Sequence, residues 1–514
     1  MKLLLIVIDG ASPRVFCPAV QTGRLQTMQA LAGRGTMHAS SVSIFPSITP
    51  AATCTIVTGC YPAGHGIQGA AWLQDGEGPV AYYGDDLWVV AREGVGAFLR
   101  DFLRQLNGER LHAPTLFELI EGAGRQAASL NYLVYRGLRE HQVRLPGLVA
   151  MLPGAPVEAT VRGPSMLALG TLVESGLQRG KKHRQKGGPL HRFGMDDEGT
   201  GALLCSLIET GAMPDFTVAY FADNDFRSHE VGPHEALPVL DRVDGMLRAA
   251  FDRAGGIDAF LRDTAVVITS DHGHCEVLDD ADRAAVRLDD LLKDVVRLAT
   301  LGAPWTDRDE AMICPNMRAA QIYLRSPSPA LRDRIVSRLL EDSRVDHVLW
   351  RAEPHSADAA FVVGSARGSL RFGRAQGDGG SLCDAFGTAW RWSGDLDVLD
   401  VRAGGSRLEY GVYPNAFERI EGALASDQSG DIWVTARPGC EFEVPGGKAH
   451  VGGASHGALH ALDSLSPVIV SGVPRGFVLP EQMRSVDIAP LCMQLLGLPM
   501  RFAVGQPRGG ARPA

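Results

Sequence analysis

A mostly parallel α/β sheet with helices on both faces, interrupted by a smaller inserted α+β cap, is the fold class that this 514-residue sequence predicts. Short β-branched apolar runs alternate with amphipathic stretches of helical period, and three of those runs are followed within a few residues by an aspartate. Alternation of strands and helices implies parallel pairing, because each crossover helix must cover a face of the sheet. In such sheets ligands bind beyond the carboxyl ends of the strands, so the three aspartates mark the edge where a site belongs.

The strands are read from LLLIVI before Asp9, AASLN at 127–131, TVAYF at 217–221 and AVVIT at 265–269. Between them, residues 115–123 carry a helical pattern, with Thr115 and Glu118 spaced as a capping box and Gly124 as a stop. From 287 to 439 the pattern changes. A helical run near 287–301 precedes a strand at 319–324, a helix at 330–340, the strand-like VDHVLW and the hairpin FVVGSARGSLRF. This segment is read as the cap, leaving 1–286 and 440–504 as the two parts of the core. SPVIVSG and VDIAPLCMQLLG restore the core pattern before a Gly-, Pro- and Arg-rich tail, 505–514, expected to fray.

Acidic residues outnumber basic ones 59 to 50, a formal charge of -9 that offers no general attraction to nucleic-acid polymers or anionic lipid. The basic stretch RGKKHRQK at 179–186 reads as a solvated loop and is given no role. MKLLLIVI is too short to cross a membrane and reads as a buried strand rather than a signal peptide, and no transmembrane segment is found. Nine scattered cysteines without CxxC pairing fit reduced thiols, so a cytoplasmic location is expected. Nothing in the sequence specifies an oligomeric state.

In FPSITPAATCTIVTG (45–59), Thr49 occupies an N-cap position, Pro50 the first helical position and Gly59 the stop. Backbone N–H groups and the helix dipole favour an anion there. Thr49 is therefore either a plain helix cap or a nucleophile, and a threonine hydroxyl becomes a nucleophile only when a base or metal lowers its pKa.

Metal ligands are available. Asp225 and His229, four apart, can face one ion from one helical turn, Asp271 and His272 follow another strand, and His456 lies in the glycine-rich GGASHGALH. With Asp9 they make a nitrogen and oxygen donor set without thiolate, suited to zinc, with manganese or iron as alternatives. His65, His234, His274 and His460 are left outside the ligand set, as locally satisfied, solvated or supporting groups.

FPSITPAATCTIVTGCYPAGHGI resembles the nucleophile segment of the nucleotide pyrophosphatase/phosphodiesterase family of the alkaline phosphatase superfamily. The order of the other motifs is similar: Asp9 after the first strand, Asp225-x-x-x-His229 followed by GP, RVDGML, SDHG, SHG and VDIAP. The resemblance implies an alkaline phosphatase-like fold and a phosphodiester or pyrophosphate hydrolase acting on a small-molecule phosphoester through a covalent phosphothreonine at Thr49. It further implies two divalent metal ions, one on Asp225, His229 and His456, the other on Asp9, Asp271, His272 and the Thr49 oxygen. Three carboxylates and a Thr49 alkoxide would then balance the two ions. Ala52, three residues after Thr49, stands where many family members carry asparagine, which keeps a phosphomonoesterase or phosphonate hydrolase of the same site plan as the alternative. A metal-stabilised recognition protein without catalysis is the remote one.

Overall fold

An apolar run that alternates between two buried faces needs a partner layer on each, and LLLIVI finds both. In the computed structural model, Lys2–Ile8 is a central strand of a nine-stranded sheet. The structure describes residues 1–74, 78, 80–83, 100–144, 159–176, 194–352, 360–375, 381–443, 448–474, 476–499, 502, 504–505 and 510–511. The sheet order is Met483–Arg484, Gly35–Val42, Leu465–Ser471, Thr264–Thr269, Lys2–Ile8, Phe216–Phe221, Ala127–Leu130, Met166–Leu169 and Val173–Ser175. Within it, pairing is parallel except that Leu465–Ser471 and Val173–Ser175 run against their neighbours.

Lys2–Ile8 pairs in parallel with strands on both sides, in registers that set Ile8 opposite Phe221 and Val7 opposite Thr269. The carboxyl ends of three adjacent strands therefore finish level. Leu3, Leu5 and Val7 enter one core, beneath helices Thr49–Thr58, Leu116–Gly122 and Ile488–Leu495. Leu4, Ile6 and Ile8 enter the other, beneath Pro13–Gln21, Gln26–Ala32, Asp197–Glu209 and Leu237–Arg253. Full burial of each such side chain contributes ~1.5–3 kcal/mol, which makes this strand an anchor for everything at its end.

The helix start signal at Thr115 holds in detail. Leu116–Gly122 starts at a capping box in which the Glu118 N–H donates to Thr115 Oγ1 (3.2 Å) and the Thr115 N–H donates to Glu118 Oε2 (2.9 Å). In RVDGML, the Asp244 carboxylate accepts the backbone N–H groups of Thr27 and Met28, tying two helices of one layer together. In VDIAP, Asp487 pairs with buried Arg484, which also holds Glu418.

Residues 311–436 supply a second, ten-stranded sheet. Ala319–Leu324 and Ile432–Ala436 are its second and third strands, inside the edge strand Ala311–Asn316, the helix Pro329–Leu340 packs on it, and Ala360–Ser365 with Gly368–Arg374 form the expected hairpin, closing at the pair Ser365 and Gly368. The helical run near 287–301 is shorter than its pattern suggests: the helix is Leu288–Leu292. Beyond it, Leu298 bridges Ala311 in parallel, and extended pairing there overrides local helical preference while still burying Val296.

In the tail, Gly510–Ala511 pairs with Phe477–Val478. The basic stretch at 179–186 lies outside the described residues. Among the described residues no helix is long and apolar enough to cross a membrane.

Candidate metal centre

The three level strand ends deliver the acidic residues. Asp9 directly follows Ile8, Asp271 lies two residues beyond Thr269, and Asp225 lies in the first turn of the helix Asp223–Val231 that follows Phe216–Phe221. The same helix places His229 one turn after Asp225, with His229 Nε2 3.4 Å from Asp225 Oδ2. His456 arrives from the loop before Leu465–Ser471. All these side chains are buried, whereas Thr49 at the rim is partly exposed.

Two donor clusters result, sharing His272: Asp9, Asp271 and His272 in one, and Asp225, His272, His274 and His456 in the other. His272 Nε2 lies 3.3 Å from Asp271 Oδ2, 3.5 Å from Asp9 Oδ1 and 3.0 Å from Thr49 Oγ1. His456 Nε2 lies 3.6 Å from Asp225 Oδ1. The ring of His456 stacks on that of His272, centroids 3.6 Å apart.

Each histidine is oriented by a backbone carbonyl. His229 Nδ1 meets Ala454 O at 2.8 Å, His456 Nδ1 meets Ser47 O at 2.7 Å, His272 Nδ1 meets Gly273 O at 3.1 Å and His274 Nδ1 meets Gly10 O at 3.0 Å. A carbonyl only accepts, so Nδ1 carries the proton in all four rings and Nε2 presents its lone pair inward. Ring orientation through the second nitrogen is how metal-ligating histidines are held.

Asp9 Oδ1, Asp225 Oδ1, Asp271 Oδ2, His274 Nε2 and His456 Nε2 are all buried without a hydrogen-bond partner. Lone pairs converging in a dry interior repel one another unless a cation lies among them, so these residues fit a metal ion. Electrostatics agree. Burial, then the neighbouring charges of Asp271 and Asp225, push the Asp9 carboxyl well above its ordinary range. Burial and the proximity of His272 keep His456 neutral, its pKa far below the usual histidine value.

Thr49 is the first residue of the helix Thr49–Thr58, with Ile48 at the cap position, and no side chain caps this helix. Its hydroxyl turns instead to His272, 3.0 Å away, and does not cap the helix. Ser47, two residues earlier, ties this segment to the cluster: its carbonyl holds His456 and its Oγ accepts the Gly457 N–H at 3.2 Å. Ala52 is fully buried within the helix.

The second sheet props the same loop. The Arg318 N–H donates to His456 O at 3.0 Å, and its buried guanidinium grips Asp463 at 3.0 and 3.1 Å. Gly457, at φ +117, lies so close to Asn316 O that a Cβ would meet it at 2.6 Å, which explains the glycine.

His65, His234 and His460 stay out of the cluster. His65 is buried against Thr55 and Ile67, the side chain of His234 is 63% exposed, and His460 caps the short helix Ala461–Ser464. His274 does not stay out: its Nε2 lies 3.0 Å from Asp225 Oδ1. The sequence signal was its place two residues after His272, which extends the strand-end loop of Asp271.

A parallel α/β sheet carrying Asp and His donors and a threonine at its carboxyl edge is the plan of the alkaline phosphatase-like hydrolases. The chain belongs to the type I phosphodiesterase/nucleotide pyrophosphatase family, which it matches over residues 3–349. Among solved structures it is similar to phosphonoacetate hydrolase from Sinorhizobium meliloti 1021 in complex with phosphonoformate, with 18% identity, a TM-score of 0.57 and 96% of each chain covered. It is also similar to human ectonucleotide pyrophosphatase/phosphodiesterase 5, with 15% identity, a TM-score of 0.54 and coverage of 98% of this chain and 97% of that one. No curated protein sequence matches it. By its family the protein is an enzyme, a hydrolase of the phosphoester-cleaving class.

Proposed function

We propose that the enzyme hydrolyses phosphodiester or pyrophosphate bonds of a small-molecule substrate, with Thr49 as nucleophile and two divalent metal ions, zinc by the balance of nitrogen and oxygen donors. The observation that carries this reading is the 3.0 Å contact between Thr49 Oγ1 and His272 Nε2, at the junction of two buried donor clusters. Asp225, His229 and His456 would hold one ion, and Asp9, Asp271, His272 and Thr49 the other. When bound, such ions lower the pKa of a coordinated hydroxyl and neutralise charge on the leaving oxygen.

Thr49 Oγ1 gives up its proton to solvent and forms a bond to phosphorus, while the bond from phosphorus to the leaving oxygen breaks and that oxygen departs with the electron pair. The helix N-terminus beneath Thr49 favours the phosphoryl oxygens. Water then attacks the phosphothreonine from the side the leaving group vacated and restores the hydroxyl. Two in-line displacements retain configuration at phosphorus.

The parallel pair Ala285–Arg287 with Glu441–Glu443 brings the ends of segment 287–439 together, which supports reading it as a cap inserted into a core of 1–286 and 440–504. The alternative, a phosphonate or phosphomonoester hydrolase, draws support from Ala52 and from the fold shared with phosphonoacetate hydrolase. Rates on a bis-aryl phosphate, a mono-aryl phosphate and phosphonoacetate, measured with zinc-reconstituted protein, separate these readings. The diester should react fastest. A chiral diester that emerges inverted would exclude the phosphothreonine.

A further inference from the structure

The family resemblance leaves His274 without a role, yet no side chain of the cluster approaches Asp225 more closely than its 3.0 Å. We propose that His274 is a fourth protein ligand of the ion on Asp225, making that site three imidazoles and one carboxylate. The inference deepens the two-metal reading above and rests on it.

Three observations carry it. The His274 Nδ1–H is committed to Gly10 O, so Nε2 faces Asp225 Oδ1 with a lone pair, and neither atom has a hydrogen-bond partner. Two acceptors held 3.0 Å apart in a buried site need a cation near both. Secondly, the His274 ring stands edge-on to those of His229 (78°) and His456 (79°), so it approaches Asp225 from a direction those two leave open. Ligands that surround an ion must converge from different directions.

Thirdly, the chain is built to admit this ring. Gly10, at φ +60, lies under it, and a Cβ there would meet His274 Cε1 at 2.1 Å. The backbone of residue 274 is pinned on both sides, its N–H donating to Ser12 Oγ (2.8 Å) and its carbonyl accepting from Arg14 Nη2 (3.0 Å). The imidazole is therefore held in place before any ion arrives.

The consequence is an unlike pair of sites. Three imidazoles favour borderline ions such as zinc, cobalt or nickel, whereas Asp9, Asp271, His272 and Thr49 form an oxygen-rich site that tolerates manganese or magnesium. One equivalent should be held much more tightly than the other.

The test uses the full chain stripped by a chelator and titrated with Co2+ alone, read by equilibrium dialysis, by visible d–d absorption and by proton NMR. Every cobalt-ligated imidazole with a protonated Nδ1 gives one hyperfine-shifted, exchangeable ring N–H signal. The wild type should bind two equivalents with unlike affinities and show four such signals, from His229, His272, His274 and His456. His274→Ala should lose one signal, change the visible spectrum and weaken only the tighter equivalent, by at least ~10-fold. Three signals at two bound equivalents in the wild type, a result that needs no variant to fold, would overturn the inference. So would a folded His274→Ala protein with unchanged affinities and spectrum. A wild type that binds a single equivalent, weakened by His274→Ala, would instead retain the ligand and remove the two-metal reading.

Discussion

Thr49 Oγ1 and His272 Nε2 lie 3.0 Å apart, although the two residues are 223 positions apart in the chain and come from different elements of the fold. The His272 Nδ1–H is donated to Gly273 O, so Nε2 is the acceptor and Thr49 the donor. Thr49→Ala removes the proposed nucleophile while leaving Asp9, Asp271 and His272 in place. It should lower kcat on an aryl phosphodiester by ~10³-fold or more with little change in melting temperature, and Thr49→Ser should restore part of the rate. Single-turnover assays with a labelled diester should trap label on the wild type and none on Thr49→Ala.

Burial, with Asp271 and Asp225 close by, raises the Asp9 carboxyl well above its ordinary range. A folded-state pKa raised above the ordinary 3.8 means that the folded protein holds this proton where the unfolded chain releases it. Metal-free protein therefore loses stability as pH rises from 3.8 upward. Asp9→Asn should stabilise metal-free protein at neutral pH by ~1 kcal/mol or more while abolishing the gain in melting temperature on adding Zn2+. In the wild type, metal at a hundred times its Kd should contribute ~2.7 kcal/mol, read by calorimetry with and without chelator.

His65 sets an acid limit of a different sign. It is fully buried, accepts the Ile67 N–H on Nδ1 (3.1 Å) and contacts Thr55 Oγ1 through Nε2 (3.1 Å), so the ring is neutral. Burial, reinforced by His112, lowers its pKa from 6.5 to about 3. Over that interval the unfolded chain takes up a proton that the folded protein refuses, and stability falls as pH falls, by a few kcal/mol at most. Urea unfolding from pH 7 to pH 4 should show this slope, and His65→Gln, which cannot take the proton, should flatten it.

Arg318 and Asp463 form an ion pair with both side chains fully buried. Even beside Arg318, burial pushes the Asp463 carboxyl up to about 6. Arg318→Ala strands that carboxyl and releases the carbonyls of Ala436 and Cys440, which the guanidinium holds. The expected cost is ~3–5 kcal/mol, larger at pH 8 than at pH 5 because the stranded carboxyl must ionise, and Arg318→Met with Asp463→Leu should recover much of it. Equilibrium unfolding at the two pH values checks both statements.

Local chemistry made the helix start at Thr115 and the stops at Gly59 and Gly124 readable, because caps and left-handed glycines act within a few residues, whereas at Thr49, read as the cap, the helix begins one residue earlier than expected, with Ile48 at the cap position. The strand-end aspartates were readable for a related reason: an apolar run that ends in a charged residue ends where its sheet does. The helix at 288–292 was overextended because its end is set by the bridge from Leu298 to Ala311, a partner that no local pattern reveals.

The sequence by itself determined the α/β class, the strands that carry Asp9, Asp225 and Asp271, and the family to which Thr49 and its motifs belong. For His274, His456 and His229 the tertiary structure alone decided which imidazole nitrogen faces inward, since Gly10, Ser47 and Ala454 offer their carbonyls only once distant segments meet, whereas His272 turns to the carbonyl of its neighbour Gly273. It also decided the place of His274. Two residues beyond His272, that ring could have turned to solvent or to the core, and only the side-chain-free surface of Gly10 and the pinning by Ser12 and Arg14 direct it to Asp225.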